Sequence, residues 1–296
     1  MGNPPGRTAA ERRQAAGPTA ARMLVGIRLR RLRESAGISR ETAAEEIRSS
    51  DSKISRLELG RTGFKQRDVA DLLTFYGLTD EGERQALLEL AKQASAPGWW
   101  QRYDDVVPSW FESYVGLEQA AAVIRNYAVQ FVPDLLQTEE YARSALRLCH
   151  PDDDSARLDR RVALRMGRQH LLHRPAPPKV WAVIDETALR RPIGSRATMR
   201  LQLGHLLDVA ELPHVSVQVM PFSTGGHPAA GGAVTFLRFT ECDLPDIVYL
   251  EQLFSAVYLD KPNAVAPYWR VLNHLGMQAE QPTATAQILR QIRAEI

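Results

Sequence analysis

The chain has 296 residues, 44% hydrophobic and 24% charged, with a formal net charge of +2, which is apolar material for about two folded domains. No apolar run approaches the roughly 18 residues that a spanning helix needs, which argues against a membrane protein. The two cysteines, Cys149 and Cys242, fit no metal or redox spacing and suit a reducing cytoplasm rather than a disulfide framework.

Charge is unevenly spread. Residues 1–67 hold 15 Lys and Arg against 7 Asp and Glu, residues 68–94 hold 2 against 6, and the remainder is near neutral. A basic end on a neutral body points to a polyanion as partner of the N-terminal part. Residues 1–21, rich in Pro, Gly, Ala and Arg, lack the apolar block of a secretion signal and read as a disordered tail.

Residues 22–36 put Val25, Leu29, Leu32 and Ala36 on one helical face and Arg22, Arg28, Arg30, Arg31 and Arg33 on the other. That basic face is either solvated or offers one or two phosphate contacts. Gly37 ends the helix. The following stretch, SRETAAEEIRSSDSKISRLELG at 39–60, organises the rest. Ser39 is a favourable N-cap and Glu41 places negative charge in the first turn, so a short helix is expected to about Ile47, with Ala43, Ala44 and Ile47 inward. Ser50 caps a second helix through Glu58, with Ile54 and Leu57 facing the core and Gly60 ending it. Two short helices joined by a tight turn have the dimensions of a major-groove reading device; an ordinary helical hairpin is the alternative.

The coincidence of Glu41, Ala44, Ser50, the run Ile54 to Glu58, and Gly60 resembles the DNA-binding domain of lambda-repressor and xenobiotic-response-element type regulators. Two positions depart from that pattern. Arg48 stands where a glycine usually opens the turn, which leads us to expect a differently shaped turn, because a left-handed non-glycine residue costs on the order of 1 kcal/mol. Leu59 stands where a polar, DNA-facing residue is common, so no contact is assigned to it. By their place at the exposed start and middle of the second helix, Asp51, Ser52, Lys53 and Arg56 are assigned to base edges, and Arg40, Ser55 and Arg61 to phosphates.

A helix from about Gln66 to Tyr76 follows, with Val69, Leu72 and Leu73 inward. Asp80 and Glu83 form a capping box that opens a fifth helix through Ala94, with Leu87, Leu88, Leu90 and Ala91 as its stripe. Residues 22–95 thus make an all-α, five-helix domain, and Ser95 to Gly98 is the boundary to a second domain at 99–296. Trp99, Trp100, Tyr103, Trp110, Phe111 and Tyr114 then concentrate aromatics, either as a nonpolar plug or as a ligand-pocket wall or dimer contact. An extended stretch is expected from Gln119 to Val132, ended by Pro133. Thr138 caps a helix with Tyr141, Ala145 and Leu148 inward. Residues 155–172 form a helix with Leu158, Val162 and Met166 buried beside a ladder of Arg157, Arg161, Arg165 and Arg168, which reads as solvated or as a receiver for an acidic partner.

Val180 to Ile184 reads as a strand buried on both faces, and 195–211 as a helix with Met199, Leu203, Leu206 and Ala210 inward. Val215, Val217 and Val219 alternate as a strand with one face covered. Strands follow at about Ala233 to Phe239, Asp246 to Glu251 and Phe254 to Tyr258, and helices at about 264–276 and 284–294, the last with Leu289, Ile292 and Ile296 on one side. The second domain is mixed α/β, and the chain as a whole α+β.

Over roughly residues 22–290 the sequence resembles actinobacterial regulators similar to the sporulation regulator WhiJ. The resemblance rests on SWFESYVGLEQAA, FVPDLLQTEEYARSAL, VIDETALRRPIG, VSVQVMPF and the glycine-rich GGHPAAGG. Asp134 departs from it, since glycine is common after Pro133, and a less sharp turn is expected there. The resemblance implies a cytoplasmic, antitoxin-like transcription factor, commonly encoded beside a small protein that modulates it.

No catalytic constellation emerges. His170 and His173 lack a third metal ligand and read as helix-surface residues. Asp185 and Glu186 follow a strand, as carboxylates of an α/β enzyme do, although Asp185 or Thr187 capping the next turn explains them as well. The loop Thr224 to Gly232 lacks the lysine and hydroxyl of a phosphate loop. It is a connection, or a lid over a pocket with His227 as its polar group. We therefore expect no enzyme, no metal and no cofactor. The expected protein is a homodimeric, repressor-like regulator on a pseudo-palindromic double-stranded DNA operator, controlled through its C-terminal domain by a small partner protein. The alternatives are a small-molecule-sensing regulator with a pocket in its C-terminal domain and an antitoxin-type interaction protein, with Trp99, Trp100, Tyr103, Trp110 and His227 as the possible ligand or partner surface.

Overall fold

The computed structural model describes residues 17–229 and 231–296, in two compact units: residues up to Gln101 with Thr240–Leu244, and Arg102–Phe239 with Pro245–Ile296. The overall class is α+β. Of the expected disordered tail, residues 1–16 lie outside the described residues, whereas Pro18 to Ala21 already belong to a helix.

The first unit contains α1 (Pro18–Ser35), α2 (Arg40–Glu46), α3 (Asp51–Glu58), α4 (Gln66–Phe75) and α5 (Glu81–Ala94). The expected caps form where the short polar side chains stand. Ser39 accepts from Thr42 N at 3.1 Å, Ser50 from Lys53 N at 3.2 Å and Asp80 from Glu83 N at 2.7 Å. Glu83 does not complete the capping box but lies 3.9 Å from Arg28. Ala21, Leu24, Val25 and Leu29 of α1 are buried with Ala43, Ala44, Ile54, Leu57, Val69, Leu72 and Leu73, while Leu32 is only half-buried and Ala36 exposed.

The α2–α3 turn keeps its left-handed step despite the arginine. Arg48 has φ +51°; its N–H donates to Glu45 O at 3.0 Å, and Ser49 N–H to Ala44 O at 2.8 Å. These two bonds close the end of α2 as a Schellman motif, which holds Arg48 where glycine would be unstrained. The expectation of a differently shaped turn is therefore corrected. A Cβ on Gly26 would lie 2.5 Å from Leu57 O and one on Gly60 2.7 Å from Met23 Cα. The α1 and α3 backbones thus approach as closely as they do only because both positions are glycine.

The second unit is built on a six-stranded sheet of order β3-β2-β1-β4-β5-β6. The strands are β1 (Val123–Ala128), β2 (Lys179–Asp185), β3 (Val215–Met220), β4 (Val234–Arg238), β5 (Ile247–Glu251) and β6 (Ala256–Leu259). Strands β1, β2 and β3 are parallel, and β4, β5 and β6 extend them antiparallel. The helices are α6 (Ser109–Ala120), α7 (Glu139–Cys149), α8 (Ser155–Gln169), α9 (Glu186–Arg190), α10 (Arg196–Ala210), α11 (Pro262–Gln278) and α12 (Pro282–Glu295). Helix α11 covers one face through Val265, Leu272 and Leu275, packed on Tyr127, Val183, Phe236 and Val248. The parallel strands need crossovers, and these put helices on the sheet's faces, which is why β2 reads as one apolar run.

Several expectations are corrected here. Ser109 to Ala120 is a helix, so the extended segment is shorter than expected and begins at Val123. Thr138 caps α7 as expected, but Leu148 is 62% exposed, and the buried stripe is Tyr141, Ala142, Ala145 and Leu146. Strand β3 is covered on both faces, because Gln218 and Met220 are also buried. The Gln218 amide donates to Gly276 O at 3.1 Å and Glu280 O at 3.0 Å.

Of the α8 arginine ladder only Arg157 is exposed; the other three are buried or half-buried in ion pairs. Arg168 binds Glu118 in a bidentate pair at 2.8 and 2.7 Å and reaches Asp134 at 2.7 Å. Arg165 lies 3.4 Å from Asp134, and Arg161 pairs with Asp153. Asp134 thus supplies the charge that glycine lacks at that turn. Burial works to raise its carboxyl, but Arg165 and Arg168 prevail and hold it below the usual range. Burial works to lower Arg168, and Glu118 more than reverses that. The stability contributed by Asp134 is present above its unfolded pKa of about 3.9 and is lost as pH falls through its lower folded value.

Two substitutions test this architecture. Arg48→Gly removes the left-handed penalty and should stabilise the first unit by about 0.5–1 kcal/mol in urea titration, whereas Arg48→Val should destabilise it. Glu118→Ala leaves a buried guanidinium partly unpaired and should cost the second unit about 3–5 kcal/mol; the double change Glu118→Leu with Arg168→Met should recover most of that in the same titration.

Candidate nucleic-acid interface

Helix α3 is held by its buried side. Ile54 and Leu57 are 1% and 2% exposed, and Glu58, the last helical residue, is tied to Arg33 of α1. The Arg33 Nε and Nη2 donate to the two Glu58 carboxylate oxygens, the second at 3.0 Å, and Nη1 donates to Ile38 O at 2.8 Å. Glu58 raises the Arg33 pKa above its ordinary value against the opposing effect of burial. Arg33 therefore belongs to the interior and not to the basic face of α1. The rest of that face is engaged too: Arg30 pairs with Glu34 at 2.8 Å, Arg31 with Asp243 at 2.5 Å, and Arg22 reaches Ala94 O at 3.5 Å. Of the five arginines expected on that basic face, only Arg33 is buried, and Arg30 and Arg31 stay exposed within their surface pairs.

The outward side of α3 carries the assigned residues in three different states. Ser52 and Arg56 are exposed. Asp51 lies 3.1 Å from Arg40 Nε, and the Lys53 ammonium is 2.9 Å from Asp68 of α4. Ser55 is half-buried. Arg61 is exposed directly after the helix, where its own N–H donates to Arg56 O at 2.9 Å and Gly60, at φ +64°, turns the chain. Half-exposed ion pairs such as Arg40 with Asp51 contribute about 0–1 kcal/mol, so they yield readily to a phosphate. Arg48, Lys65 and Arg67 are further exposed cations in this unit that the sequence reading did not assign to DNA. Their spacing in the sequence carries no helical period that singles them out.

The residues singled out elsewhere fall into separate places. Trp100 and Tyr103 are buried, at 3% and 8% exposure, and so build core rather than a surface, which corrects that assignment. Trp99 and Trp110 are half-buried. Trp110 begins an aromatic series through Phe111, Tyr114, Tyr249 and Tyr258, with Tyr114 and Tyr249 stacked at 4.1 Å and the Tyr258 hydroxyl donating to Trp110 O at 2.6 Å. His227 Nδ1 accepts from Ala229 N at 3.3 Å, which leaves Nε2 to donate to the Tyr127 hydroxyl at 3.0 Å; that hydroxyl donates to Asp185 at 3.2 Å. The other Asp185 oxygen caps α9 through Thr187 N at 2.9 Å. Each group in this chain is satisfied, so it fastens the glycine-rich loop to the carboxyl ends of β1 and β2. His170 and His173 are exposed, and no cluster of three metal-ligating side chains exists among the described residues. No helix among the described residues is long and apolar enough to cross a membrane.

Comparison with known families agrees with this division. Residues 24–87 match a helix-turn-helix domain; the match runs from within α1 to within α5 and includes every residue assigned here to DNA. Residues 111–291 match a domain of unknown function, DUF5753, which covers the sheet and most of its helices. Neither a curated protein nor a solved structure matches the chain. With more than half of its length matched, the chain belongs to the DUF5753 family and carries a helix-turn-helix DNA-binding domain ahead of that family domain.

Proposed function

We propose that this protein is a cytoplasmic transcriptional regulator that binds a pseudo-palindromic operator as a homodimer and responds to a small partner protein through its C-terminal unit. The observation that carries the reading is the presentation of Ser52 and Arg56, both exposed, on a helix whose other face is locked by Ile54, Leu57 and the Arg33–Glu58 pair. Arg56 reads a base edge, and a bidentate arginine on guanine is worth about 1–3 kcal/mol of discrimination. Ser52 joins it. Arg40, Ser55 and Arg61 hold phosphates, and Asp51 and Lys53 enter the groove only by giving up Arg40 and Asp68. A single helix of this length spans few base pairs, so two copies on half-sites about one helical turn apart supply the affinity.

Control by a partner protein rests on the resemblance to antitoxin-like actinobacterial regulators similar to WhiJ, and the family domain carries no enzymatic step in this reading. A second reading, control by a small molecule, draws on one observation. A groove of about 470 Å³ is lined by Thr138, His205, Asp208 and Arg293 among others, and Arg293 has no ion-pair partner among the described residues. Burial lowers the His205 pKa, favouring the neutral imidazole there.

In fluorescence anisotropy, Arg56→Ala should abolish the preference for the operator over scrambled DNA. Arg61→Ala should weaken both alike and reduce the salt slope by about 1. Operator binding by Arg56→Ala equal to the parent's would remove this assignment. Titration with the neighbouring gene's product should shift operator affinity if the partner reading holds, whereas thermal stabilisation by a metabolite, lost in Arg293→Ala, would favour the second reading.

A further inference from the structure

The two edges of the sheet are treated differently. At the β3 edge, Glu280 N donates to Val219 O at 2.9 Å, and the Gln218 side chain binds Gly276 O and Glu280 O. That edge is closed by the connection between α11 and α12. Among the described residues the β6 edge has no such cover. Gln252 N donates to Ser255 O at 2.8 Å, closing a hairpin with Leu253 and Phe254 at its tip. In the register of β5 with β6, Leu250 is opposite Val257 and Val248 opposite Leu259. Counting by alternation from the 252–255 bond, these are the pairs that exchange hydrogen bonds. The N–H and C=O groups of Ala256 and Tyr258 then face away from β5, and none has a partner among the described residues.

Folded proteins normally guard such an edge with lysine, proline, a bulge or a covering loop. The segment Gln252 to Leu259, QLFSAVYL, contains no charge and no proline. Leu253 and Phe254 are 89% and 87% exposed, and Val257 45%. Free backbone groups in a row are satisfied by another extended strand, and a strip without charge asks for a strip without charge. The segment itself meets both conditions.

We infer that β6 pairs antiparallel with β6 of a second copy of this chain, about a two-fold axis at Val257. In that register Ala256 of each copy faces Tyr258 of the other, giving about four backbone hydrogen bonds across the joint. Val257 faces its own twin at about 4.5 Å between Cα atoms, the spacing of a non-hydrogen-bonded pair. The contact is isologous, so it closes at two copies. The inference rests on the homodimer proposed above and names the surface that makes it.

Sedimentation velocity of the full chain without DNA, at micromolar concentration, should show a dimer. Ala256→Pro removes an outward donor at a position where an edge strand tolerates proline, and Val257→Lys sets like charges opposite each other. Both variants should sediment as monomers with unchanged circular dichroism. In a Cys149→Ser, Cys242→Ser background, Val257→Cys should form a disulfide-linked dimer when oxidised glutathione takes up the two thiol hydrogens. A monomeric parent, a dimer that persists in both variants, or failure of the cysteine variant to cross-link would each overturn the inference. Arg56-dependent discrimination on a single half-site, measured on the same variants, separates loss of the joint from loss of the reading helix.

Discussion

Arg33 and Glu58 join the C-terminal part of α1 to the last residue of α3, with both side chains buried and both carboxylate oxygens engaged. Removing one partner of such a pair costs about 3–5 kcal/mol, because the other is left charged in the interior. The pair therefore sets the axis of α3 against α1, and Gly26 and Gly60 let the two backbones meet closely enough for it to form. The order in which forces act matters for function. The interior pair cannot be given up, whereas the pairs of Arg40 with Asp51 and Lys53 with Asp68 are partly exposed and can exchange for DNA. A rigid mount with exchangeable surface partners is the arrangement that a groove-reading helix requires.

The second unit relies on the same device on a larger scale. Arg168 is buried against Glu118 and Asp134, and the Tyr114 hydroxyl donates to Glu118 at 2.8 Å. These contacts tie α8, α6 and the turn after Pro133 together. Arg125, at the centre of β1, is the opposite case. It is 3% exposed and stacks over Trp181 at 3.7 Å and Trp269 at 4.5 Å, and it donates to Asn273 Oδ1 and Leu272 O. No carboxylate among the described residues is its partner, and burial, followed by the nearby Arg238, pushes its pKa down to about 10. Two indole faces and two neutral acceptors stand in for a counter-ion, and they fasten α11 to the sheet.

The elements were largely legible because their signals are local. Ser39, Ser50, Asp80 and Thr138 each cap the helix expected of them, and the alternating valines of β3 and the apolar run of β2 became strands. The misreadings share a cause in side chains whose partners are distant in sequence. Arg168 stood on a ladder that looked solvated, since nothing near it in the chain announces Glu118, 50 positions away. Gln218 looked outward on an alternating strand, and the α11–α12 connection covers it. Leu148 fits a helical stripe that α7 does not bury. At Arg48 the propensity argument was sound, but the Schellman bonds outweighed a penalty of about 1 kcal/mol.

Taken by itself, the sequence determined the helix boundaries of the first unit apart from the start of α1, the capped pair of helices with Ser52 and Arg56 on its open side, and the α+β class, because caps, periodicity and turn residues act within a few positions. Only the tertiary structure decided which charges are available. It withdrew Arg33 into the interior, paired Lys53 with Asp68, closed one sheet edge and left the other open. Those outcomes depend on which distant segments come within hydrogen-bonding reach, and that is a property of the packed chain rather than of any stretch of it.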